Sequence, residues 1–210
     1  NLTYDGFFLE QNLTSVEPTM RRDLLYIDAR RQSQTEIEMA LAHTLARHIV
    51  YNHDQNEELW QSVGFGMVAE ILAGYTDQSI GFRGFTSFNY PCQNSILSWA
   101  SANPYADMQF SELLLLYTAE NYQSGLDGGL GILHDIANNT AAHGIDAFNA
   151  ALQSYGTEDS FTDIFYNLGV TAIIEQQKSA SMDDHSEYKF SYNEISSKTE
   201  YNTIYWGKNN

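Results

Sequence analysis

At 210 residues the chain is sized for one domain, or one domain plus the edge of another. Its 43% hydrophobic content, with 14 Tyr, 11 Phe and 3 Trp, supplies a core and excludes global disorder. Twenty-seven Asp and Glu against ten Lys and Arg leave a formal charge of -17, which argues against nucleic-acid phosphate and anionic membrane surfaces as partners. Such a charge reads first as a solvated acidic surface, one able to attract cations or basic partners.

No apolar run reaches the roughly 18 residues that a membrane-spanning helix needs, because Ser111 and Glu112 interrupt the best candidate just before Leu113–Leu116. The chain opens on Asn1 rather than Met and lacks a signal-peptide pattern, so it is expected to be a mature product or a segment of a longer protein. Cys92 is the only cysteine, which excludes an internal disulfide framework and a cysteine-based zinc site.

Taken in chain order, Tyr4 to Leu9 and Asp23 to Ala29 read as strands, the second as a short buried one. Thr35 to Glu38 fits a T-x-x-E capping box, in which side chains satisfy the first free N–H groups of a helix. That helix is expected to run to about residue 52 and to bury the stripe Ile37, Leu41, Leu45 and Ile49, spaced by four. Residues 52–56 form a turn. Glu57 and Glu58 then place negative charge at the start of a second helix, with Trp60, Val63, Met67 and Ile71 on one face and an end near Gly74. Gly81 to Ser87 reads as a loop. Further helices are expected at about 106–122, 129–153 (with a break at Gly144) and 160–178, the last capped by Ser160. Tyr188 to Trp206 alternates polar and aromatic residues, as in a hairpin or the start of a further domain.

The informative stretch is Ala42-His43-Thr44-Leu45-Ala46-Arg47-His48, continuing through Ile49 to Asp54. In an H-E-x-x-H helix, residues four apart lie about 40° apart around the axis, so two imidazoles reach one Zn²⁺ while the Glu takes a proton from the metal-bound water. Here His43 occupies the first ligand position. Thr44 stands where the general base belongs, without a suitable charge or pKa. Arg47 stands where the second imidazole belongs and offers a fixed positive charge in place of a lone pair.

On these residues the chain resembles the hyicolysin-like zinc metallopeptidases of the gluzincin group. Their helix, close to A-H-E-F-Q-H-x-I-N-Y-N-H-D, is followed by W-x-x-E-G-x-x-x-x-A-E-x-x-x-G. Matches are Ala42-His43, Ile49, Tyr51-Asn52-His53-Asp54, Trp60, Gly64, Ala69-Glu70 and Gly74. Leu25-Tyr26-Ile27-Asp28, Leu113 to Tyr122, Asp127 to Leu133 and Ser160 to Phe165 extend the resemblance over about residues 20 to 178. It implies an α+β, predominantly helical, zincin-like fold, with a small N-terminal sheet and a C-terminal helical subdomain. It also implies a bacterial extracellular or cell-surface location. The departures fall on the reactive positions: Thr44 for the base, Arg47 for the second ligand and Val63 for the third.

His48 follows His43 by five residues, about 140° around the helix, and His53 lies past its expected end. A distorted residual site from His43, His48 and Glu70 is the sharper reading. The plainer one makes His43 a hydrogen-bonded core remnant, His48 and His53 packing or loop residues, and Glu70 a buried acid paired with a backbone group or with Arg47. Cys92 reads as a free structural thiol. Gly125 to Gly131 lacks the lysine and context of a phosphate loop. Asp183-Asp184-His185 offers too few ligands to outrank a solvated loop. Asn1, Asn12 and Asn138 begin glycosylation sequons that matter only in a eukaryotic secretory host.

The expectation is therefore a catalytically inactive, metallopeptidase-like domain over residues 1–178, with a strand-rich tail or further domain at 179–210. It has no cofactor and serves as a protein- or peptide-binding module whose residual cleft pairs with an extended ligand. The competing readings are an active zinc endopeptidase with unorthodox ligands and a purely structural domain. The binding reading loses to the structural one if Val63, Met67 and Arg47 pack the former site shut.

Overall fold

Ser33 starts the first long helix. Its hydroxyl accepts from the Glu36 backbone N–H while the Glu36 carboxylate accepts from the Ser33 N–H at 3.2 Å, which closes a reciprocal capping box. The box thus lies two residues before the expected Thr35–Glu38 pair. Glu38 is used instead by Gln34 Nε2 at 2.5 Å and by the Tyr75 hydroxyl at 2.8 Å. In this computed structural model the described residues are 6–10, 24–28, 30, 33–75, 96–97, 104–122 and 130–177. They form strands β1 (Gly6–Phe8) and β2 (Leu25–Ile27) and six helices. The helices are α1 (Gln34–His53), α2 (Leu59–Leu72), α3 (Pro104–Asn121), α4 (Leu130–Ala137), α5 (Gly144–Ser154) and α6 (Phe161–Gln177). The fold is predominantly helical with a small two-stranded antiparallel sheet.

The strands pair Gly6 with Ile27, Phe7 with Tyr26 and Phe8 with Leu25. The Phe7 and Tyr26 rings stack at 4.9 Å on the outer side, both well exposed. β2 is thus only partly buried, contrary to its apolar composition, because a two-stranded sheet has one face to cover and α1 covers it. Phe8 does the covering, its ring against His48 at 5.3 Å and Tyr51 at 5.4 Å.

α2 lies at the centre, and its two glycines set how closely its neighbours approach. A Cβ on Gly66 would stand 2.8 Å from the His43 ring of α1, and one on Gly64 2.8 Å from Leu115 of α3. The expected stripe of Trp60, Val63, Met67 and Ile71 is buried. The helix ends in a Schellman arrangement: Tyr75 N–H donates to Glu70 O at 3.0 Å and Gly74 N–H to Ile71 O at 2.8 Å, with Gly74 at φ 90. α3 buries Leu113–Leu116, Tyr117 and Ala119 along with the polar Ser111, Glu112 and Thr118.

The expected helix over 129–153 is two, α4 and α5, separated by residues 138–143, and Gly144 opens the second. α6 begins as expected after Ser160, whose N–H and hydroxyl both donate to Asp163 Oδ2. Trp60, Phe148, Phe161 and Phe165 form a chain of edge, tilted and stacked ring contacts joining α2, α5 and α6. No helix among the described residues is long and apolar enough to cross a membrane.

The α1 stripe is the main correction. Ile37, Leu41, Leu45 and Ile49 are 40–49% exposed, and the helix buries Met39, Ala40, His43, Thr44, His48 and Val50 instead. Polar residues occupy much of its inner face, so apolar spacing points to the wrong side. The segments containing Cys92, Gly81–Ser87, Asp127–Gly129, Asp183–His185 and Tyr188–Trp206, and the sequons at Asn1 and Asn12, lie outside the described residues.

Candidate functional site

The helix that carries His43 and the helix that carries Val63 and Glu70 meet where α1, α2 and α3 converge. His43 Nδ1 lies 2.8 Å from Glu70 Oε1, with both side chains almost fully buried. A carboxylate acceptor selects the tautomer that carries hydrogen on Nδ1. Glu70 is therefore held by an imidazole from the neighbouring helix, in place of the expected partnership with a backbone group or Arg47. This contact joins two residues 27 apart in sequence. It resembles the carboxylate–histidine pairing that orients ligands in metal sites, and it equally satisfies a core histidine.

The neighbours of this pair are apolar or closed. Val63 and Met67 are 0% exposed and cluster with Met108 of α3, so hydrocarbon fills the space around Val63. Thr44 is buried, and any side chain at Gly6 of β1 would collide with its hydroxyl. The strand thus covers Thr44. Arg47 is half-buried. A threonine, an arginine and an aliphatic side chain beside one engaged imidazole do not fit a Zn²⁺ donor set. Among the described residues no group of three His, Cys, Asp or Glu side chains is placed to hold a metal ion.

His48 is buried, but it meets Asn52 Nδ2 at 3.3 Å and the edge of Phe8. His53 ends α1 and lines a groove toward α4. The combination of His43, His48 and Glu70 thus reduces to the His43–Glu70 pair, with His48 in the packing of the sheet.

Two features escaped sequence reasoning. Glu112 of α3 is 1% exposed, one helical turn beyond Met108, and neither of its carboxyl oxygens meets a hydrogen-bond donor among the described residues. Burial, and then the charge of Glu70, push its carboxyl well above the usual carboxylate range, which favours the neutral acid. Its only trace in the sequence is an acid beside a leucine run. The second feature is a clamp 89 residues in span, in which buried Asp54 pairs through Oδ2 with His143 Nδ1. Beside it Gly144 N–H donates to Glu57 Oε1 at 2.8 Å, and Trp60 Nε1 donates to Glu58 Oε2 at 2.6 Å. Burial raises Glu57, opposed by backbone donation from Gly144 and Glu58. Together these contacts tie the α1–α2 turn to the start of α5.

No protein family, curated protein or solved structure matches the chain. The chemistry of the site accordingly rests on its own geometry.

Proposed function

We propose that this chain is a catalytically silent, metallopeptidase-like domain of a secreted or surface protein, working as a protein- or peptide-binding module. The silent half of the reading is supported by the filling of the reactive positions: Val63 is sealed by Met67 and Met108, and Thr44 is covered at Gly6. The binding half is carried by one observation. The aliphatic row on α1 stands on the surface as one contiguous apolar ridge, the kind of feature that marks a binding surface. The zincin-like relationship belongs to the same proposal and rests on the motif order from His43 to Gly74.

The residual cleft is not the binding route in this reading, since hydrocarbon fills it, and strands of three residues offer little backbone for pairing. That same filling favours a second reading, a purely structural domain. Incubation of metal-free and zinc-loaded protein with casein, with and without chelator, tests the silent half; the expected result is no cleavage in any arm. Chelator-sensitive cleavage with stoichiometric zinc would overturn it. Selection of displayed peptides on the immobilised chain separates the other two readings: a module enriches a common sequence, and a structural domain enriches none.

A further inference from the structure

The α1 row continues into a second apolar feature. Ile37, Leu41, Leu45 and Ile49 make a ridge roughly 18 Å long at 1.5 Å per helical residue. At Ile49 it runs into an open groove of about 300 Å³, walled by Val68 and Leu72 of α2 and Leu130 and Leu133 of α4. Leu72 and Leu130 are themselves more than two-fifths exposed, so ridge and groove form one apolar surface.

The helical part of the chain is strongly acidic, and exposed Arg30 before α1 is held by Asp28. Between positions 33 and 177 the chain has seventeen Asp and Glu but only Arg47 and Arg83 as cationic Lys or Arg. Arg47 is two residues from Leu45, about 200° around α1 on its inner side. Glu38 flanks the start of the ridge, and exposed Asp135 stands next to the groove residue His134. A second copy of a chain with charge -17 is repelled from such a surface, whereas an apolar stripe edged with cations is attracted.

We propose that the α1 ridge and its groove dock a lysine- or arginine-rich amphipathic helix of a partner protein. Its apolar side lies along Ile37–Ile49 and its cations face the acidic body. This rests on the binding-module reading and names the face and the chemistry of the ligand.

The test titrates the full chain into three labelled synthetic peptides, read by fluorescence anisotropy. One is a Leu/Lys amphipathic helix, one a Leu/Glu helix of the same pattern, and one a scramble of the Leu/Lys composition without an apolar face. The Leu/Lys helix is expected to bind saturably, with the other two far weaker. Leu45→Asn and Ile49→Asn leave the charge unchanged and sit on the surface, so both variants fold, as circular dichroism verifies. Each is expected to weaken binding roughly tenfold, the loss of one buried aliphatic side chain. Equal affinity of the Asn variants, equal binding of the scramble, or ridge-dependent self-association in place of peptide binding would each overturn the proposal. Casein cleavage by the same preparation would sink the silent-peptidase reading whatever the peptides do, and failure of the peptides alone sinks only the docking.

Discussion

His43 and Glu70 form a buried polar pair between two helices. Their Nδ1 and Oε1 atoms lie 2.8 Å apart with both side chains buried, so truncating either one removes a buried polar contact of the other. Glu70→Ala is expected to lower stability by about 2–4 kcal/mol in urea unfolding, and His43→Leu combined with Glu70→Leu less than the two single losses together. Strict additivity would contradict the pairing. Glu112 gives a pH signature. Its folded pKa is raised, so its contribution to stability is full below the unfolded carboxylate value, about 4.3, and is lost as pH rises toward the folded value. Glu112→Gln should therefore flatten the fall of Tm across that rise and be more stable than the parent above neutrality. Parallel Tm profiles for the two proteins would argue against a buried acid at this position.

The helices differ in how openly they declare themselves. On α2 the inward residues Trp60, Val63, Met67 and Ile71 are apolar, so spacing alone marks the buried face. On α1 the inward residues include His43, Thr44 and His48, each placed by contacts from another element, and the aliphatic row faces out. Leu41→Asn and Leu45→Asn are expected to shift unfolding free energy by no more than about 0.5 kcal/mol, whereas Ile71→Ala costs about 2–5 kcal/mol. Ridge variants as damaging as Ile71→Ala would place that row in the core. The cap of α1 carries a similar lesson. Ser33–Glu36 and Thr35–Glu38 both fit the pattern, and the choice falls to Tyr75, which takes Glu38 from 37 residues away.

For the molecule as a whole, a charge of -17 sets a repulsion that packing must overcome. Raising salt from low ionic strength to about 0.3 M, where screening acts within about a helix diameter, is expected to raise Tm, as calorimetry can measure. A Tm indifferent to salt would mean that the surface acids are already neutralised locally. The terminal clamp of Asp54, His143, Glu57 and Gly144 joins distant segments around the aromatic core, and no local pattern announces it.

Helix positions, the α2 core stripe and the Ser160 start were legible in the sequence. Each depends on residues within a few turns of one another, where 3.6-residue geometry suffices. The orientation of α1, the His43–Glu70 bond, the buried Glu112 and the hydrocarbon seal at Val63 were decided only by tertiary structure. Those features need side chains from two or three helices to meet, and the spacing of residues along one helix carries no information about what the next one brings.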